Sequence, residues 1–234
     1  MTASRVEDGS RTVRIDCHVH TADSFDSTAS VDAVLRRATN VGVDGVVVTD
    51  HDRIERSLRA AERAPEFGLV GIPGVEVSTN DGHLLAIGVE TRPRAGRSFR
   101  ATVAEIRSRG GVAVVPHPFQ RSRHGARADA ISACDGVEVF NAHSLTGIRN
   151  RQAARFADAF DYPRFGGSDA HRPQLVGRGV TYVEVGASPV TPETVLAGMR
   201  AGRTWAGGNR TSTRSYLGKL VQNARLKRPR LQRS

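Results

Sequence analysis

Six of the eight histidines stand at, or just beyond, the ends of apolar, strand-like runs: His18, His20, His51, His83, His117 and His171. Asp50, Glu76, Glu138 and Asp169 occupy similar places. In DCHVH the two histidines are i and i+2, so a strand turns both to one face, where they can grip one cation. SDAH spaces Asp169 and His171 the same way. Glu76, in GVEVS, follows an apolar run and suits a bridge between two cations. A lone histidine at a strand end is usually a hydrogen-bonded structural residue. Six of them, after different apolar runs, form a donor set. Imidazole and carboxylate without a thiolate cluster suit Zn, Mn or Fe better than Ca or Mg. At roughly four ligands per ion, such a set implies two or three divalent ions.

The elements that carry these donors alternate. RTVRIDCHVH reads as a strand. Val31 to Asn40 reads as a helix capped by Ser30, with Val31, Val34, Leu35 and Ala38 on one face. GVVVTDH is a short apolar strand of the kind buried in parallel sheets. RIERSLRAAERA is a helix ending near Pro65, and LVGIPGVEVS and HLLAIGV are strands. A helix opens at Ser98, then GVAVVPHPF and GVEVFN are strands. A helix from about Leu145 to Phe160 precedes the strands RFGGSDAH and GVTYVEV, and Thr191–Pro192 opens a last helix. Six or seven strand–helix units predict a parallel α/β domain. A closed barrel gathers strand ends in one ring, whereas an open sheet lays them in a row. The spread of histidines therefore favours a barrel.

In chain order, HVHT, TDH, GVE, GH, PHP and GSDAH resemble the PHP (polymerase and histidinol phosphatase) family of metal-dependent phosphoesterases. The resemblance runs from about Ile15 to Gly202. It implies a single-domain, distorted (β/α)7 TIM-like barrel with a trinuclear metal cleft. It further implies that His18, His20, Glu76 and Asp169 hold a first ion and that Glu76 bridges to a second, held by His83 and His117. A third would take Asp26, His51 and His171. Glu76, Asp169 and His171 would then be catalytic. Both Asp23 and Asp26 follow HVHT; HTADSFDS aligns best with Ser24 preceding the ligand, which favours Asp26. The implied reaction is phosphate-ester hydrolysis by a metal-bridged hydroxide. The substrate would be a phosphorylated metabolite, a nucleoside 3′,5′-bisphosphate or the 5′ end of an oligonucleotide.

Other polar residues have supporting expectations. Asp50 either orients a ligand histidine or caps the next helix. Glu138 and Asn141 would line the cleft. Arg121, Arg123, His124 and His143 sit on adjoining loops, and arginines there suit a phosphate clamp; Asn141, Arg121 and Arg123 are the expected substrate contacts. Cys17 alternates away from His18 and so packs, as does Cys134. Tyr162, Tyr182 and Trp205 suggest ordinary core and rim.

Composition excludes several classes. With 234 residues, 38% hydrophobic and 25% charged, the chain is neither disordered nor membrane-spanning. The N-terminus lacks a signal-peptide pattern and two cysteines make no disulfide framework, so a cytoplasmic setting is expected. Of the net charge of +10, residues 209–234 carry +8. The expected organisation is a 1–12 extension, a domain over 13–208 and a basic tail over 209–234. In the tail, Tyr216, Leu217, Leu220, Val221 and Ala224 form an apolar helical stripe, and the tail's charge suits weak contact with anions or nucleic acid. No GxSxG or P-loop is present. His117 and Asp169 are 52 positions apart, too close for a large inserted subdomain. An amidohydrolase-like site usually needs a lysine, and only Lys219 and Lys227, both in the tail, are present. A nucleic-acid-binding scaffold is the non-catalytic alternative.

Overall fold

The computed structural model describes residues 10–144, 146–187 and 189–209. The apolar stripe and basic charge of the tail lie outside the described residues, as does most of the 1–12 extension. In chain order the elements are β1 (Thr12–Val19), α1 (Val31–Asn40), β2 (Gly45–Val48), α2 (Glu55–Arg63), β3 (Val70–Gly71), β4 (Gly74–Thr79) and β5 (Gly82–Ile87). Then come α3 (Phe99–Ser108), β6 (Val112–Val115), β7 (Gly136–Asn141), α4 (Ile148–Ala159), β8 (Arg164–Gly167), β9 (Gly179–Glu184), α5 (Pro192–Arg200) and β10 (Thr204–Gly208). Local chemistry sets several helix starts. The Ser30 and Ser98 hydroxyls accept from Ala33 N and Ala101 N, and Thr191 and Thr194 cap each other reciprocally at α5.

The strands form two five-stranded sheets, ordered β10-β9-β1-β2-β3 and β4-β5-β6-β7-β8. The expected all-parallel arrangement is corrected to a mixed one. β1–β2, β2–β3, β6–β7 and β7–β8 are parallel, while β9 pairs antiparallel with β1 and β10, and β5 with β4 and β6. Only Asn80 and Asp81 separate β4 from β5, enough for a hairpin and far too few for a crossover helix. LVGIPGVEVS, read as one strand, is broken by Ile72–Pro73. Its first part is β3 of one sheet and its second is β4 of the other, because proline cannot donate to a ladder. Between the sheets only two isolated bridges occur among the described residues, Val19 with Ala170 and His51 with Glu76. The fold is thus a mixed α/β structure of two sheets.

Three apolar clusters hold it. The inner one takes Ile15 and Val47 from one sheet and Leu85, Ile87, Val112, Val114 and Phe165 from the other, with Val195 and Met199 of α5. A second packs α1 and α2 on the first sheet, and a third packs α3 and α4 on the second. Strand alternation sorts side chains between them: in β5, Leu85 and Ile87 turn inward while Leu84 and Ala86 meet the helices.

One buried hydroxyl ties the sheets below the rim. Ser57 of α2 donates to Val48 O at 2.6 Å and accepts from Gly74 N at 2.7 Å. It therefore joins the end of β2 to the start of β4, two residues before Glu76. Ser57→Ala leaves two buried backbone groups without partners. Stability is expected to fall by about 1–3 kcal/mol, read as a lower urea midpoint at unchanged m-value. An unaltered midpoint would show that the tie carries no weight.

Candidate metal centre

Two bulges aim the side chains that matter. β1 pairs Asp16 with Val46 but Val19 with Val48, so it carries one residue more than β2 there. Val13, Ile15 and Cys17 enter the inner core, and past the bulge Val19 packs outward under α1 and α2. His18 and His20 are left at the inner rim. Cys17 packs as expected, yet through the bulge rather than by simple alternation away from His18. In β7, Glu138 faces Phe165 and Phe140 faces Gly166. In a regular strand Glu138 and Asn141 would project to opposite faces. The extra residue brings them together, and Asn141 Nδ2 donates to Glu138 Oε2 at 2.9 Å. His83 opens β5 rather than ending a strand; antiparallel pairing with Ser78 of β4 carries it to the same rim. His117 and Asp169 have positive φ, 28° and 52°, a conformation side chains rarely adopt outside functional sites. At Gly167 a Cβ would lie 2.5 Å from His18 Cβ and 2.6 Å from Glu138 Oε1, so glycine lets these two residues close on β8.

Glu76 is the centre. Its Oε1 lies 2.7 Å from His83 Nδ1 and 3.1 Å from His117 Nε2. Its Oε2 lies 3.2 Å from His18 Nε2 and 3.3 Å from both His20 Nε2 and His51 Nδ1. Burial alone would raise its pKa, but His18 and His51 outweigh burial and hold the carboxyl well below its ordinary value. Asp169 behaves alike: burial opposes ionisation, and Arg123 and His18 hold it well below the usual range.

The far nitrogens are pinned. His18 Nδ1 meets Glu138 Oε1 at 3.1 Å. His20 Nδ1 meets Ser24 Oγ at 3.0 Å, and that hydroxyl is committed as donor to Asp50 at 2.7 Å. His171 Nδ1 meets the Asp169 carbonyl at 2.9 Å. These partners accept, so each Nδ1 bears a proton, and when the ring is neutral its Nε2 lone pair is the one turned inward. Those lone pairs face carboxylate oxygens: Glu76 for His18 and His20, and Asp26 Oδ2 at 2.7 Å for His171. Two acceptors in contact require a proton or a cation between them. His20 Nε2, His117 Nδ1 and Asp169 Oδ1 are buried without hydrogen-bond partners. Donor atoms fall within 4.8 Å of one another in groups such as His18–Glu76–His117, His18–His20–Asp169, His51–Glu76–His83 and His20–His51–His171. This donor set fits divalent transition metals.

The other expected residues fall into place around it. Asp26 reaches His171; burial opposes its ionisation, but the hydrogen bond with His171 and the charges of His171, His20 and His51 together bring its pKa down to about 2, whereas Asp23 pairs with Arg56 at 2.6 Å. Asp50 accepts from Thr21 N at 2.6 Å, from the Thr21 hydroxyl and from Ser24, so it steadies the loop that holds His20. Asn141, expected to touch substrate, is fully buried. Its amide is spent on Glu138, Asp169, the His143 N–H and Arg123. Arg123 is half-buried with its guanidinium on Asp169, and exposed Arg121 lines the same cleft. His124 stacks on His83, and His143 Nδ1 meets the Asp169 carbonyl. Cys134 is buried. Ser24 enters the sequence reading only as the residue preceding Asp26, and nothing there marks it as a histidine support; Asp16, whose carboxylate is buried on Ser168 N and Gly177 N and raised by burial to about 6, has no distinguishing signal at all. The whole opens into a cleft of about 920 Å³.

The chain matches the PHP domain over residues 16–144 and the PHP-associated segment over 147–204. It belongs to the PHP domain family. It is 31% identical over 153 residues to the uncharacterized protein MJ1587 of Methanocaldococcus jannaschii, covering 60% of this chain and 89% of that one. It is 32% identical over 141 residues to the error-prone DNA polymerase of Nocardia farcinica, 60% of this chain but 11% of the polymerase. Among solved structures, a two-domain protein from Bacteroides vulgatus containing a predicted PHP-like metal-dependent phosphoesterase shares the fold. Its TM-score is 0.71 at 20% identity, over 86% of this chain and 66% of that one. The lesion-specific endonuclease Q of Pyrococcus furiosus gives 0.60 at 17%, over 84% and 58%.

Two outcomes are expected. Glu138→Gln sets an amide N–H against the donors Glu138 now accepts from. Metal affinity is expected to fall about 10–100-fold with secondary structure retained, measured by calorimetric titration. Burial lowers His18 and His83, but Asp169 and the other carboxylates lift His18 well above its ordinary value, and the bond to Glu76 lifts His83. In the metal-free protein both therefore hold their second proton to higher pH than an ordinary imidazole, and an entering cation displaces it. Titration in buffers of different ionisation enthalpy is expected to show proton release, with affinity rising as pH rises. Metal uptake without proton release would contradict the assignment.

Proposed function

We propose that this chain is a metal-dependent phosphoesterase, its domain spanning 13–208 and its two sheets forming the halves of a distorted (β/α)7 TIM-like barrel. The observation that carries this reading is one fully buried carboxylate, Glu76, ringed by five imidazoles, two of which, His18 and His20, have their outer nitrogens held by Glu138 and Ser24. His18, His20, Glu76 and Asp169 would hold one cation, Glu76, His83 and His117 a second, and Asp26, His51 and His171 a third. Bound cations supply positive charge to phosphoryl oxygens and lower the pKa of water.

The chain's own residues do the rest. Glu138, Ser24 and the Asp169 carbonyl fix the tautomers of His18, His20 and His171. Arg121 and Arg123 give the cleft a positive lip for the phosphate. Asn141 acts as a positioning residue by holding Glu138 and Asp169 in register. The two cysteines are unpaired and buried, which suits a reducing, cytoplasmic setting. Among the described residues no helix is long and apolar enough to cross a membrane. A lesion-specific endonuclease shares the fold, which keeps nucleic-acid phosphoesters within the proposed substrate range, beside phosphorylated metabolites.

Hydrolysis of p-nitrophenyl phosphate by protein loaded with Mn²⁺, Zn²⁺ or Fe²⁺, and its loss on chelation, tests the reading. Glu76→Gln is expected to abolish turnover and cut bound metal while leaving the fold. His18→Ala and His117→Ala are each expected to lower kcat at least ~10²-fold. Asp26→Asn is expected to lose metal, whereas Asp23→Asn changes little. Full metal content and turnover in Glu76→Gln would overturn the proposal.

A further inference from the structure

Phe25 is the most exposed large hydrophobic residue among those described, 89% accessible, and it lines the cleft. Its exposure is not the slack of a loose loop. Ser24, before it, is buried and bonded to Asp50 and His20. Asp26, after it, is held on His171. Ala22 N bonds Ala29 O across the loop, and the Ser27 hydroxyl lies 3.1 Å from the carbonyls of His20 and His171. A short, anchored loop therefore holds an apolar ring in water at the mouth of the metal centre. Single exposed apolar side chains are common on protein surfaces; this one is distinguished by being held in place at the cleft.

The ring also has a defined underside. It stacks on His51 at 5.3 Å and 24°. His51 stacks on His20 at 4.7 Å and 29°, and His20 on His171 at 4.4 Å and 25°. Four flat rings thus form a column that starts among the donor groups and ends with Phe25 in solvent. One ring beyond His51, Phe25 is the surface that a substituent extending out of the donors along this wall would meet.

We propose that Phe25 is a specificity-determining residue that stacks on a flat aromatic group of the substrate, favouring aryl or nucleobase-bearing phosphate esters over aliphatic ones. This rests on the phosphoesterase reading. Stacking of a base on an aromatic side chain contributes about 1–3 kcal/mol, equivalent to roughly 5–150-fold in affinity. A hydroxylated aliphatic chain has no flat face to match and gains less from the ring. Exposed Arg121 and Arg127 line the same cleft and add positive charge to it for the anionic part of the ester.

The test compares kcat/KM of the Mn²⁺-loaded enzyme on adenosine 5′-monophosphate and p-nitrophenyl phosphate with that on glycerol 3-phosphate. In Phe25→Ala the ratio of aromatic to aliphatic substrate is expected to fall at least fivefold, through KM; in Phe25→Trp it is retained. A ratio within twofold of the parent in Phe25→Ala overturns the proposal. A second arm measures binding of phenylphosphonate and ethylphosphonate to the loaded proteins by calorimetry, independently of turnover. Should the parent hydrolyse no phosphate ester, the phosphoesterase reading fails. The phosphonate arm then still decides: loss of the preference for phenylphosphonate in Phe25→Ala supports a ring-binding role, and equal affinities for both phosphonates in the parent overturn it. A change in oligomeric mass in Phe25→Ala with ring preference unchanged would assign the residue to a contact between copies and overturn the proposal as well.

Discussion

Placing one ionised carboxylate out of water at the contact point of five imidazoles is the constraint from which most of this structure follows. A buried charge is tolerated only when it is compensated and its lone pairs are met. Around Glu76 the compensation is supplied by rings that must each present a chosen nitrogen. For His18 and His20 that choice is made one layer further out, by Glu138 and by Ser24 with Asp50, and the Asp169 carbonyl does the same for His171 beside them. Each of those is in turn committed elsewhere: Glu138 to the His117 N–H and Asn141, and Asn141 to Asp169. The supports are linked to one another, so a change at the edge is felt at the centre.

The backbone accommodates this at a cost that regular structure would not incur. The bulges in β1 and β7 and the positive φ values at His117 and Asp169 all lie at one end of the molecule. The regular alternation that packs Leu85, Ile87, Val112 and Val114 lies below them. Stability comes from the inner core and the helix-covered outer faces. The rim is where geometry is bent to chemistry, as expected when local rules give way at a functional site.

The convergence of histidines was legible because their type and placement recur after successive apolar runs, which ordinary packing has no reason to do. Helix starts were legible wherever a side chain determines them, as at Ser30, Ser98 and Thr191. Strand direction was not, because an apolar run reads the same both ways; only the two-residue gap at Asn80–Asp81 distinguished a hairpin. β10 passed unread, since a glycine-rich run with one tryptophan carries no period. The bulges were invisible because a period-two reading assumes that no residue is inserted. Asn141 shows the remaining gap: a polar residue at a strand end gives the same signal whether it meets substrate or, as here, supports the residues that hold the site.

The break at Pro73 has a consequence for how the molecule holds together. It divides the donors by sheet: His18, His20 and His51 belong with β1 and β2, while Glu76, His83, His117 and Asp169 belong with the strands from β4 to β8. Any cation shared across that seam would add a cross-link at the rim to the two isolated bridges and the side-chain bonds already there. By mass action such a cross-link stabilises the folded chain in proportion to RT ln(1 + [L]/Kd). With cations bound there, the protein's resistance to unfolding and to proteases would depend on the metal supply of its surroundings as well as on its sequence.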